Sequence, residues 1–238
     1  MKIVVMGNSV GLRVRPASKD DPNSNIPFSQ LLKSKFISDN KNIDIKNLCH
    51  GRFLIEHILN LRDEYIRQYP DVYIICAGIT DCCNREIPLW LSNLLHGNRL
   101  SFSRRILMGF YIKLIKPFRP FFVLIRGRRP WRSLNRTKYG FEVLFNEISK
   151  NTSAKVIFLE ILDIDDRIEN ELPGSRNNVK KMNEILREMI SERGERFQFL
   201  ALNDISRPLT RPDGIHMDEN GHKLLANMLY STLNKLSN

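Results

Sequence analysis

Residues 2–11, Lys2-Ile3-Val4-Val5-Met6-Gly7-Asn8-Ser9-Val10-Gly11, set a short apolar run directly against a polar turn flanked by glycines. A short run of this kind, rich in β-branched residues, reads as a first strand that ends in a turn at Gly7. The turn has three readings: a plain turn, the opening of a nucleotide-binding loop, or the seat of a nucleophile. The second is poorly supported, because G-x-G-x-x-G is absent and no Walker lysine follows. Gly7-Asn8-Ser9-Val10-Gly11 does spell G-x-S-x-G, but the nucleophile elbow of α/β-hydrolases follows several strands and only one fits ahead of Ser9. On spelling alone, turn and nucleophile both stay open.

Outward from this stretch, β-rich runs recur at Ile3 to Met6, Ile43 to Leu48, Val72 to Ala77, Val156 to Leu159 and Phe197 to Leu202. Helical periods lie between them. Leu54, Ile58, Leu61 and Tyr65 share one helical face, and Val179, Met182, Leu186, Met189 and Ile190 share another. Leu224, Leu225, Met228, Leu229 and Leu233 mark a last helix, with Asp218 placed to cap it. Alternation of this kind predicts an α/β fold, a five-stranded parallel sheet with helices on both faces. With no repeat and no low-complexity linker, residues 1–238 are expected to form a single domain.

The chain has 238 residues, 42% hydrophobic and 26% charged, the balance of a soluble globular protein. Its formal net charge of +11 would suit a nucleic-acid binder if it were spread evenly. It is local: Arg99 to Lys138 holds twelve Lys or Arg and no Asp or Glu, which leaves 25 basic against 26 acidic residues elsewhere. The stretch from about 89 to 138 also interrupts the β/α alternation and reads as a basic, aromatic-rich helical insertion. Its apolar core, "ILMGFYIKLIKPFRPFFVLI", contains Lys113, Lys116 and Arg119, and Pro117 and Pro120 break the helix. Charges at the middle of a span cost a few kcal/mol each, so it is not expected to cross a bilayer. Cys49, Cys76, Cys82 and Cys83 lack zinc-site spacing and follow no secretory signal, which predicts free thiols and a cytoplasmic location.

In an open parallel sheet, ligands gather at the carboxyl ends of the strands. Three polar clusters fall there: Gly7-Asn8-Ser9, "CAGITDC" after the third strand, and "RPDGIHMDENGH" before the last helix. In the third, Asp213 and His216 stand three apart, so a carboxylate could fix the tautomer of an imidazole that approaches one serine. The plainer reading is a solvated Asp-Gly turn and helix cap.

Together, a serine near the start, a glycine after strand two, G-x-x-D after strand three and a terminal D-x-x-H resemble the SGNH (GDSL-type) hydrolase family. The D-G-I-H-M-D-E-N-G-H-K-L-L-A block is the most specific part. The resemblance implies a flavodoxin-like three-layer sandwich and a Ser-His-Asp triad for acyl transfer at ester bonds, commonly on carbohydrates or lipids. Carried over, Ser9 is the nucleophile, His216 the general base and then acid, and Asp213 its orienting partner. The oxyanion hole would use the Ser9 N–H, the Gly51 N–H and a side chain at Thr80. Thr80 departs from the expected asparagine, and a single lost oxyanion donor costs about 3 to 4 kcal/mol. Asn8 departs from the usual aspartate of G-D-S. The variant blocks are similar to a branch associated with bacterial surface-polysaccharide synthesis, which implies a carbohydrate ester or lipid-linked glycan as substrate, for hydrolysis or acetyl transfer. No metal or organic cofactor is implied.

The insertion has several readings. Residues 99–138 interleave twelve cations with Phe102, Phe110, Tyr111, Phe118, Phe121, Phe122 and Trp131, a composition suited to an anionic membrane surface. Nucleic acid is the competing anion, disfavoured by the apolar content, and a helical lid with solvated charges is the blandest. A catalytically weak member of the family, serving as a peripheral membrane or glycan-binding protein, is the rival to the enzyme. Other histidines have structural readings: His50 could line a pocket, whereas His57, His96 and His222 suit surface or cap positions. Asn183 is assigned no role.

Overall fold

The computed structural model describes residues 1–12, 14–15, 25–97, 102–202 and 213–236. Five strands, β1 (Lys2–Gly7), β2 (Asp44–Cys49), β3 (Val72–Cys76), β4 (Lys155–Leu159) and β5 (Phe197–Leu200), pair in parallel in the order β2-β1-β3-β4-β5. This is the flavodoxin-like order, whose switch point lies between β1 and β3. All five expected strands are present, each within two residues of its predicted ends.

Period-two alternation along the strands builds two cores. Val4, Met6, Tyr73, Ile75, Val156 and Phe158 face one side. There they meet α2 (Ile55–Asn60), α8 (Leu134–Asn151) and α10 (Ser175–Ser191). Ile3, Val5, Val72, Ile74, Ile157 and Leu159 face the other, against α1 (Phe28–Ser38) and α11 (Glu219–Leu236). Helices on both faces of a parallel sheet complete the three layers.

The structure refines the sequence reading in three places. The helix expected through Leu54, Ile58, Leu61 and Tyr65 is two short ones, α2 and α3 (Arg62–Ile66), broken at Leu61. Helices α1 and α8, which the periodicity reading did not pick out, cover much of the sheet through Phe28, Leu32 and Phe36, and through Phe141, Leu144, Phe145 and Ile148. Helix α11 is capped as expected, Asp218 Oδ1 accepting from Gly221 N–H at 2.8 Å.

After β3 come α4 (Ile79–Cys82), then α5 (Leu89–His96) and α6 (Phe102–Phe110). A wider turn at Tyr111–Ile115 and a tight one at Lys116–Phe118 lead into α7 (Arg119–Ile125). Part of the positive charge pins this basic segment to the sandwich. Arg119 pairs with Glu86 and, through α9 (Asp166–Glu171), with Glu171 at 2.7 Å. Arg126 donates to the carbonyls of Arg85 and Ile87, and Arg132 pairs with Glu56. No helix among the described residues is long and apolar enough to cross a membrane.

Candidate active site

The loop leaving β1 is shaped by what its glycines allow. A Cβ on Gly7, whose φ is +149°, would lie 2.0 Å from the carbonyl oxygen of Cys76, so only glycine lets the loop pass β3 this closely. Asn8 is buried; its N–H donates to that same carbonyl and its Oδ1 accepts from Val10 N–H at 3.1 Å, capping a single tight turn at Ser9–Gly11. The amide thus holds Ser9 at the head of this turn, above the carboxyl end of the sheet.

His216 Nε2 lies 2.8 Å from Ser9 Oγ, and its Nδ1 lies 2.7 Å from Asp213 Oδ2. Residues 207 positions apart in the chain therefore share one hydrogen-bonded line. Asp213 is fixed from behind, Oδ1 accepting from the N–H groups of Ile215 and His216. Partial burial by itself would raise this carboxyl, but the hydrogen bonds and charge of His216 outweigh it and hold it well below the usual carboxylate range. An ionised Asp213 keeps the proton on Nδ1 and leaves the Nε2 lone pair facing Ser9. The arrangement can take a proton from the serine hydroxyl and return it to a leaving group.

Ser9, His216 and Thr80 line one cavity of about 450 Å³. Its far wall is built by the basic segment, including Met108, Tyr111, Lys116, Arg119 and Trp131. Thr80 is buried on α4, whose entry residue Gly78 has a φ of +115° and packs so tightly that a Cβ would meet Ile161 at 2.4 Å. Gly51 follows β2, beside His50, whose N–H donates to the Gly7 carbonyl at 3.1 Å. It sits exposed in this turn, and Arg52, the next residue, is the one that reaches the cavity wall.

The other histidines separate. His222 is fully buried rather than at the surface, and its Nδ1 accepts from Phe28 N–H at the start of α1. His57 accepts from Leu54 N–H, a local cap. His96 is exposed at the end of α5, as expected, and there also lines the cavity, whereas His50 stacks on Phe53. Asn183 has a role the sequence did not suggest: its amide grips both the N–H and the carbonyl of Ile161, fixing the loop after β4. All four cysteines are free and buried. Among the described residues no cluster of His, Cys, Asp or Glu is placed to hold a metal ion.

Asp81 carries a measurable signature. Fully buried on α4, it accepts from Ile55 N–H at 3.1 Å through Oδ1, while Oδ2 has no hydrogen-bond partner among the described residues. Burial pushes its pKa up to about 7 despite that hydrogen bond. Between about pH 4 and 7 the unfolded chain therefore ionises at this position while the native protein keeps the proton, so its contribution to stability falls as pH rises. Asp81→Asn removes this dependence. Urea unfolding at pH 5 and pH 8 should show the stability difference moving in favour of the variant by on the order of 2 kcal/mol or more. A difference that does not change with pH would contradict a protonated native Asp81.

No family model matches this chain, and no curated protein matches it in sequence. Solved structures do match in fold. An acetylxylan esterase from Geobacillus stearothermophilus superposes with a TM-score of 0.62 at 15% identity, over 96% of this chain and 91% of the other. A lipase/acylhydrolase from Enterococcus faecalis gives 0.62 at 14% identity, over 98% and 94%. An acetyl xylan esterase gives 0.63 at 13% identity, over 98% and 99%. The chain therefore has the fold of these esterases and lipases over nearly its whole length.

Proposed function

We propose that this protein is an SGNH-type serine acyl-transfer enzyme, an O-acyl esterase or O-acetyltransferase, whose substrate is a carbohydrate ester. The observation that carries the reading is the line Ser9 Oγ, His216 and Asp213, opening on a cavity large enough for a sugar ester. Ser9 attacks the acyl carbonyl and His216 takes its proton. The tetrahedral oxyanion is stabilised by the Ser9 N–H, the Gly51 N–H and the Thr80 hydroxyl. His216 then protonates the departing sugar oxygen, leaving an acyl-enzyme that water or a second sugar hydroxyl resolves. The esterases on acetylated xylan that share the fold support the carbohydrate side of this reading. Incubation with an acetylated oligosaccharide, with and without a sugar acceptor, decides the outcome by mass spectrometry. Free acetate marks hydrolysis and acetylated acceptor marks transfer, whereas neither product, together with no labelling of Ser9, would leave a glycan-binding protein.

A second observation bears on where the reaction occurs. Trp90, Phe102, Ile106, Phe110, Phe118 and Phe121 all project into solvent from α5, α6, α7 and the turns between them, among cations of the same segment. Exposed apolar side chains rimmed by positive charge suit peripheral attachment to anionic lipid, at the cytoplasmic face of the inner membrane, where a lipid-linked surface glycan would be met. The four unbridged thiols agree with a reducing compartment. Phe118 and Phe121 are 60% and 58% exposed, so replacing both with serine removes apolar area without opening the core. The protein is expected to co-sediment with phosphatidylglycerol-containing vesicles and not with phosphatidylcholine alone, and the double variant to bind at least about tenfold more weakly. Equal binding to both vesicles, or tighter binding to DNA, would overturn the attachment.

A further inference from the structure

The cavity beside Ser9 holds more positive charge than its own walls offset. Arg52, Arg85, Lys116 and Arg119 line it, and Glu86 is the one carboxylate among its described lining residues. Glu86 is already engaged, a single oxygen accepting from both Tyr111 and Arg119, and Arg119 is shared with Glu171. Among the described residues no carboxylate lies within ion-pair distance of Arg52, Arg85 or Lys116.

Arg52 and Arg85 converge on one ring. Their guanidinium carbons lie 5.7 and 4.4 Å from the centroid of the Trp131 indole, which is itself held by donation to the Ile87 carbonyl. Arg52 leaves its turn with a φ of +65°, and one of its nitrogens donates to Ser92 Oγ at 2.6 Å. Among the described residues the buried Nε of Arg85 has no hydrogen-bond partner, and the one hydrogen bond its side chain makes is a long one, 3.4 Å to the Thr80 carbonyl. Two guanidinium groups drawn to one indole repel each other, burial and the charge of Arg85 together lowering the pKa of Arg52, and an orphaned donor adds a desolvation cost. An oxyacid placed between them would relieve both, because the guanidinium fork matches carboxylate and phosphate oxygens.

We propose that Arg52 and Arg85, gathered on Trp131 in the wall of the cavity that holds Ser9, bind an anionic oxyacid group, a carboxylate or a phosphate, carried by the substrate. Lys116 lines the same space and adds a third charge. The inference rests on the serine acyl-transfer reading for the word substrate, but binding itself needs no chemistry. It narrows the substrate class to esters of acidic or phosphorylated sugars.

Titration calorimetry with glucuronate, glucose 1-phosphate and glucose tests this without any turnover, and the first two probes separate a sugar acid from a sugar phosphate. At least one anionic probe should bind and glucose should not. Arg52→Gln and Arg85→Gln should each weaken the anion about 10- to 100-fold, while the surface variant Lys33→Gln leaves it unchanged. Arg52 is exposed enough that its variant keeps the fold even if that of Arg85 does not, and melting curves confirm which variants are folded. The site is overturned if no anionic probe binds, if glucose binds as tightly, or if folded Arg52→Gln retains wild-type affinity. A protein that binds the anion but fails to react with every ester would sink the enzymatic reading and leave this site standing.

Discussion

Ser9→Ala is expected to lower ester turnover by at least about 10⁴-fold and to abolish covalent labelling by a fluorophosphonate probe, with the melting temperature little changed. The size of the effect follows from what else could attack. Ser92 lines the same cavity, but its hydroxyl oxygen accepts from Arg52, and among the described residues no histidine or carboxylate is hydrogen-bonded to it. Tyr111 donates to Glu86, and burial with that carboxylate pushes its phenol up to about 12, leaving almost no phenolate at neutral pH. Burial raises the thiols of Cys82 and Cys83; the neighbouring Cys76, followed by burial, raises that of Cys49. A thiol held protonated is a poor nucleophile. Among the described residues, Ser9 alone has a histidine in line as a general base, 2.8 Å away. The substitution removes one oxygen and spares the Asn8 cap that shapes the turn, so lost activity cannot be ascribed to a lost loop. Labelling at full strength in the variant would show that the nucleophile lies elsewhere.

The reasons this site could be read from sequence are local. Ile3 to Met6 reads as a strand that runs straight into the turn at Ser9, and Asp213 and His216 sit three apart, so each cluster announces its own geometry within a few residues. Their meeting across 207 residues was expected from the family resemblance together with a fold rule, that polar loops at the carboxyl ends of parallel strands converge. The cavity's far wall obeyed no such rule. Nothing near Arg52 or Arg85 indicates that both will reach Trp131, because the contact depends on how the segment after α7 returns to the Arg85–Ile87 backbone. The same gap hid the division of labour among the cations: Arg119, Arg126 and Arg132 read as undifferentiated positive charge, yet each is tied to a particular carboxylate or carbonyl of the sandwich. Helices α1 and α8 were legible in principle, since Phe28, Leu32 and Phe36 recur every four residues and Phe141, Leu144, Phe145 and Ile148 form a 3-4-7 face. In α8 the polar run Leu134 to Lys138 belongs by composition to the basic insertion and conceals where the sandwich helix begins.

Asp213→Asn is expected to reduce kcat by about 10⁴-fold while leaving KM and the fold nearly intact, and the backbone explains why so small a change does so much. Two N–H groups, those of Ile215 and His216, donate to Oδ1. An asparagine that keeps both bonds must place its oxygen at that position, which turns its NH₂ toward His216 Nδ1. Nδ1 then becomes an acceptor, the ring proton moves to Nε2, and the atom 2.8 Å from Ser9 Oγ can no longer take the serine proton. Flipping the amide to restore the tautomer would instead set NH₂ against two N–H donors, costing on the order of 2 kcal/mol or more. Asp213→Ala lacks this trap: the ring is less well oriented but free to choose its tautomer. The discriminating result is therefore an Asn variant no better than the Ala variant despite being the closer isostere, with both slowing fluorophosphonate labelling at Ser9. Since the wild-type carboxyl is held far below its ordinary range, it stays ionised across the working pH range. The loss in the Asn variant should then persist undiminished from pH 5 to pH 8. An Asn variant with wild-type kcat would show that Asp213 does no more than close the loop before α11.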